Sequence, residues 1–262
     1  MEQHIQRIGS YLNHLVRARG PHGIHSPFVY TLITEVLRND HERPEFQAIE
    51  QLRDELLSSD HTIEVNDLGA GSRVLDRPVR QVADMARTAM KPPRQARLLF
   101  RLARYFDPAT VLELGTSFGL TTLYLALGAE HGEVTTIEGC PRTFQIAKHH
   151  VERSGLANIH PVLGAFRTRL PDVLRTMERL DMAFIDGHHE KAATLDLFER
   201  CLGKAHPGSL FVLDDIHWSR GMEEAWEAVK AHPRVTVTID LYDLGLVFFR
   251  AEQAPQHFRS RY

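Results

Sequence analysis

Apolar positions along the chain first repeat at helical spacing and then settle into a regular exchange of strand and helix patterns. Ile5, Ile8, Leu12, Leu15 and Val16 mark one face of a helix that Gly20-Pro21 stops. Ser26 and Pro27 supply an N-cap and a first-turn proline for a second helix, whose apolar face holds Phe28, Leu32, Ile33, Val36 and Leu37. A third helix follows Pro44 with a stripe of Phe46, Ile49, Leu52 and Leu56, and another amphipathic stretch runs from about Val79 to Met90. Residues 1–92 therefore read as a mostly helical N-terminal extension or lid.

From Arg94 the pattern alternates: helix 94–106, strand 109–114, helix 119–129, strand 133–138, helix 141–154, strand 158–163, helix 168–178, strand 181–186, helix 190–203, strand 209–214 and helix 221–231. Such alternation predicts an α/β domain over 93–262, a doubly wound parallel sheet with helices on both faces. Val235, Val237, Ile239 and Leu241 then alternate with polar residues, and LGLVFFR at 244–250 follows a short turn. The last two strands should form an antiparallel pair.

Composition narrows the class. At 262 residues with 43% hydrophobic and 25% charged positions the chain can bury a sizeable core. A net charge of -3 gives no basic field for nucleic acid and no polybasic membrane patch, so a small-molecule partner is expected, with neither nucleic acid nor membrane. Two cysteines, Cys140 and Cys201, argue against a disulfide framework and for a cytoplasmic setting. No leader-like opening and no apolar run near the ~18 residues of a membrane span is found. A homodimer is left open.

The most informative chemistry lies in VLELGTSFG at 111–119, followed by a helix and by the strand-like TTIEG that ends at Glu138 and Gly139. A glycine turn at one strand end and a carboxylate at the next are spaced for a ribose nucleoside in a Rossmann-type site. Gly115-Thr116-Ser117-Phe118-Gly119 lacks the middle glycine that lets a pyrophosphate approach bare backbone, which favours a ligand without phosphates. ELGTSFG resembles the first motif of class I S-adenosylmethionine (SAM) methyltransferases, and the parallel sheet closed by a hairpin is similar to their Rossmann-like, seven-stranded sheet with an antiparallel last strand. The resemblance covers about 94–250. It implies that Glu138 takes the ribose hydroxyls, that Gly115, Thr116 and Ser117 approach the methionine part, and that Thr121 bonds its carboxylate, with capping as its alternative. Gly119 closes the motif. Glu113 meets the cofactor or anchors the turn. Gly164, Ala165 and Phe166 match the adenine region, although Ala165 stands where many members carry an acid, and Phe166 either stacks or packs in the core. IEVNDLGAGS at 63–72 imitates a glycine turn, but arginines and Pro78 follow it in place of a helix.

Two further strand ends carry acids: FIDGHHEK at 184–191 and FVLDDIHWS at 211–219. Neighbouring strands in such a sheet lie ~5 Å apart, so Asp186, Asp214 and Asp215 should crowd one volume, sharing a cation or retaining a proton. A hard divalent ion such as Mg²⁺ would gather them. The arrangement resembles the metal-dependent O-methyltransferases, which implies metal ligation by Asp186, Asp214 and Asp215. His189 stands where that family often has its proton-accepting lysine, and a related I-D-G-x-H branch shares the spacing. With an ordinary pKa of ~6.5 an imidazole accepts a proton near neutrality. His188 stacks near the adenine by the same resemblance. N-capping for Asp186 or Asp215 and solvent exposure for the histidines are the plain alternatives. HGIHSPFVY, with His22 and His25, looks like a phrase from an uncharacterised group of bacterial methyltransferases; a lid and a tight turn are its two readings.

Together these features predict a SAM-dependent methyltransferase acting on a hydroxyl oxygen of a small molecule, with SAM and a divalent ion as cofactors and with His189 and Asp186 as catalytic residues. The competing expectations are metal-independent N- or O-methylation, an inactive SAM-binding partner protein and a nucleotide-dependent oxidoreductase.

Overall fold

A computed structural model describes residues 2–18, 20, 24–65, 79–251 and 253–262. Both His22 and the greater part of the 63–72 glycine turn lie outside the described residues. The chain forms two compact units, Asp40–Glu178 and the pair of segments Met1–Asn39 and Arg179–Tyr262.

In Asp40–Glu178, a short 3-10 turn Pro44–Phe46 leads into α3 (Gln47–Leu57), whose predicted stripe of Phe46, Ile49, Leu52 and Leu56 is buried. The amphipathic stretch expected from Val79 begins later than the pattern suggested. Val79–Gln81 is strand β2, antiparallel to β1 (Thr62–Glu64), and α4 runs from Val82 to Ala89. The alternation then appears as predicted: α5 (Pro93–Phe106), β3 (Thr110–Leu114), α6 (Leu120–Gly128), β4 (Glu133–Glu138), α7 (Pro141–Ser154), β5 (Ile159–Leu163) and α8 (Phe166–Thr176). Strands β3, β4 and β5 pair in parallel, in that order. Leu114 meets Ile137 and Glu138 meets Leu163, so the strand ends fall level. The β3 core positions Val111, Leu112 and Leu114 are fully buried, as a strand covered on both faces requires.

In the other unit, α1 (Glu2–Arg17) precedes α2 (Pro27–Thr31), which Ser26 caps by accepting from Val29 N at 3.4 Å and which continues as a π-helical stretch, Leu32–Leu37. Of the predicted apolar face, Leu32, Ile33, Val36 and Leu37 are buried and Phe28 is half-buried. After β6 (Met182–Ile185), α9 (Lys191–Leu202), β7 (Leu210–Asp214) and α10 (Arg220–Lys230), the chain makes the expected hairpin of β8 (Val237–Asp240) and β9 (Leu244–Phe248). β6 and β7 are parallel, and β9 lies antiparallel between β7 and β8.

The seven expected strands are present, and Gln256–Arg259 adds an eighth, β10, parallel to β8. The antiparallel strand is thus next to last in the chain. A Pro at N1 or N2 opens α5 and α7, and a left-handed Gly155 ends α7, so the sequence signals set these ends directly.

Candidate functional site

The glycine turn after β3 makes three left-handed steps, at Gly115 (φ 108°), Ser117 (φ 50°) and Gly119 (φ 84°). At Gly119 a Cβ would stand 3.2 Å from the Ala147 Cβ and 3.3 Å from its Cα, so glycine also lets α6 start against α7. The turn is tied down from both sides. Ser117 N donates to Glu138 Oε2 at 2.8 Å, and Cys140 N donates to Glu138 Oε1 at 2.8 Å. Glu138 is thereby a half-buried acceptor held at the end of β4 beside the glycine turn. Burial pushes the Glu138 pKa up, against the downward pull of the Cys140 and Ser117 amides.

Glu113 lies at the end of β3, below the glycine turn. Its side chain is completely buried, and its Oε2 accepts from Thr122 and, at 2.7 Å, from Thr136. Thr136 Oγ1 in turn lies 2.5 Å from Thr116 Oγ1, so a buried chain of polar groups runs from the end of β3 through β4 to the turn. Thr122 and Thr136 each follow another threonine and carried no signal of their own in the sequence. Thr121 is half-buried on the first turn of α6, while Phe118 is buried. Gly164 (φ 141°) donates its N–H to Glu138 O at 2.9 Å, Ala165 is the α8 N-cap residue without a capping side chain, and Phe166 opens α8 half-buried.

In the other unit, the β6–β7 register sets Ile185 opposite Leu213, and the acids follow at the ends of both strands. Asp186, His189 and Asp214 each offer a ligand atom, and these atoms all lie within 4.8 Å of one another. Asp214 is 2% exposed, whereas the Asp186 and His189 side chains are 16% and 34% exposed, so the group opens to solvent on one side. His189 stands between two acids, with Nε2 3.6 Å from Asp186 Oδ1 and Nδ1 3.6 Å from Asp215 Oδ2. Asp215 thus faces the imidazole's far nitrogen and is outside the close group of ligand atoms. His188, His189 and Asp215 all have left-handed backbones, at φ 67°, 37° and 52°. Desolvation lowers the His188 pKa. Two carboxylates and an imidazole are donors of the kind that bind divalent cations, with the nitrogen suiting transition ions as well as oxygen-seeking ones.

A second cluster escaped the sequence reading. Asp240, at the end of β8 and 3% exposed, lies 3.2 Å from His14 Nδ1 and 3.0 Å from His217 Nε2, and it accepts from Tyr242 N at 2.9 Å. His217 Nδ1 lies 3.1 Å from Glu223, its ring stacks on Tyr242 at 5.1 Å, and Tyr11 meets Tyr242 edge-on. The group fastens α1 to the hairpin.

Residues 112–216 match the model of a methyltransferase-domain family. The chain is 29% identical over 127 residues to a catechol O-methyltransferase of Niastella koreensis, covering 47% of this chain and 57% of that protein. It is 30% identical over 149 residues to one of Mycobacterium tuberculosis, covering 54% and 66%. The chain thus spans less than two thirds of the length of either curated relative. An O-methyltransferase from Bacillus cereus in complex with SAH superposes with a TM-score of 0.58 at 20% identity, over 84% of this chain and 96% of that one. TomG from Streptomyces achromogenes, an O-methyltransferase in complex with SAM, gives 0.58 at 21% identity, over 85% and 95%. The expected resemblance to class I SAM-dependent O-methyltransferases holds in sequence and in fold.

Proposed function

We propose that this chain, with the sequence and fold of a SAM-dependent O-methyltransferase, transfers the methyl group of SAM to a hydroxyl oxygen of a small molecule. SAM would supply an electrophilic methyl group, and a divalent cation would lower the pKa of the acceptor hydroxyl. The observation that carries the reading is the convergence of Asp186, His189 and Asp214. Asp186 and Asp214 would hold the ion, and Asp215 would orient His189 through Nδ1. His189 Nε2 would accept the hydroxyl proton. In the cradle, Glu138 would take the two ribose hydroxyls while Ser117 and Cys140 fix its oxygens. Gly115, Thr116 and Thr121 would border the methionine part, and Gly164 to Phe166 the adenine. Glu113 positions the turn. We assign 93–262 as the methyltransferase domain and the cytoplasm as its setting, where the buried free thiols of Cys140 and Cys201 stay reduced. Among the described residues no helix is long and apolar enough to cross a membrane.

A panel of catechols and other aromatic diols incubated with labelled SAM and Mg²⁺ tests the reading. Transfer that EDTA abolishes, that Mg²⁺ restores, and that Asp186→Asn loses with SAH affinity unchanged is the expected result. One observation favours a metal-independent variant: His189 has a carboxylate facing each ring nitrogen, which orients a base without an ion. Undiminished turnover in EDTA would select it. SAH binding without transfer to any acceptor would defeat both.

A further inference from the structure

The HGIHSPF phrase remains outside the methyl-transfer chemistry, yet its residues Ile24 to Ser26 line a cavity. Ile24, His25 and Ser26 face strand β10 and the end of α1 across a cavity of about 500 Å³. Arg17, His25, His257 and Arg259 all line it, and no carboxylate does among the described lining residues. Two guanidiniums around one cavity need a counter-charge, and the fold supplies little. Arg17 pairs with no carboxylate among the described residues, although the negative end of α1 favours a cation there. Arg259 Nε lies 3.5 Å from Asp240 Oδ2, and that carboxylate also serves His14, His217 and the Tyr242 amide. One carboxylate shared among four partners leaves the pair of arginines at this cavity short of negative charge.

The neutral lining is equally prepared. Ser26 is 5% exposed, and its Oγ accepts from Val29 N and from Gln253 Nε2 at 3.0 Å, so the hydroxyl hydrogen is left to donate. His257 Nδ1 lies 2.9 Å from Thr238 Oγ1, which fixes the ring and leaves Nε2 over. Ile24 and Phe258 offer apolar surface beside these donors. A cavity of this size holds more than a bare ion, and paired arginines match the geometry and double charge of a phosphate.

We propose that this cavity is a binding site for a small organic phosphate, held by Arg17 and Arg259 with Ser26 and the two histidines as further donors. The site shares no residue with the Asp186 cluster or the glycine turn. It stands or falls apart from the methyl-transfer reading.

Isothermal titration of the SAH-saturated protein with glycerol 3-phosphate, and separately with inorganic phosphate, at low ionic strength is the test. The expected result is saturable one-to-one binding, tighter for glycerol 3-phosphate, that weakens at least about tenfold in Arg17→Gln and in Arg259→Gln. Arg220→Gln removes an exposed charge paired with Glu224 elsewhere on the same unit and should leave binding unchanged. Arg17 is exposed at a helix end, so its variant should keep the wild-type melting temperature and isolates binding from folding. No saturable heat, an equal loss in Arg220→Gln, or unchanged affinity in a folded Arg17→Gln protein would overturn the proposal.

Discussion

Replacing Asp240 by Asn tests how the N-terminal helix is held. The carboxylate is 3% exposed and lies 3.2 Å from His14, 3.0 Å from His217 and 3.5 Å from Arg259. The amide keeps the acceptor for Tyr242 N but turns one oxygen into a donor that faces another donor. It also leaves His217 and Arg259 without the charge they share. Removing one member of a buried charged pair costs about 3–5 kcal/mol. At roughly 2–4 °C per kcal/mol for a chain of this size, Tm should fall by roughly 6–20 °C. The pH dependence gives a second readout. Burial alone would lift the Asp240 pKa, but hydrogen bonds from His14 and His217 hold it far below the usual carboxylate range. Burial pulls His217 down, and its bonds to Asp240 and Glu223 outweigh that and raise it. The Asp240 contribution is present above the unfolded carboxylate value of ~3.9 and is lost only in strong acid. The His217 contribution is complete below ~6.5 and is lost as pH rises through the raised folded value. Urea denaturation of the wild type should therefore show stability declining from pH 6 towards pH 8 by more than in Asp240→Asn. Identical slopes in the two proteins, or a loss below about 1 kcal/mol, would refute the network's role.

Glu138→Gln should lower SAH affinity about 100-fold, the worth of two charge-assisted hydroxyl bonds, as read by calorimetry. Gly119→Ala places a Cβ 3.2 Å from Ala147 at a φ of 84° and should cost about 2 kcal/mol in urea denaturation, with weakened SAH binding. Tyr124→Phe removes the hydroxyl that donates to Glu50 Oε1 at 2.5 Å, and should cost about 1–3 kcal/mol with cofactor affinity unchanged.

From α5 to β9 the order and type of every element were legible, because each apolar run was long enough to show its period and was bounded by glycine or proline. β4 and α7 even begin and end at the predicted residues. β10 was not legible. Gln256, His257, Phe258 and Arg259 carry no alternating pattern and pair only with β8, so the strand is specified by its partner. Likewise Val79 is 55% exposed and belongs to a strand pair that brackets thirteen residues outside the described set, where helical periodicity misled. In the site, Asp186 and Asp214 were readable because strand ends are fixed by topology. The placement of Asp215 on the far side of His189 depends on a left-handed backbone that no spacing reveals. Glu113 carried two readings in the sequence, ligand contact and turn anchor, and its pairing opposite Thr136, whose hydroxyl donates to its carboxylate, is set by a register that no local pattern shows. His14 and Asp240 are 226 positions apart, beyond any local pattern.

His188 and His189 in succession, with Asp215 nearby, keep non-glycine backbones in a region that disfavours side chains. Each such residue stores on the order of 1 kcal/mol. A campaign to harden this protein by relaxing unfavourable torsions would find these three positions early and gain Tm by putting glycine there. It would remove in the same stroke the imidazoles and the carboxylate on which the proposed chemistry rests, so thermal robustness and turnover should trade against each other at these positions.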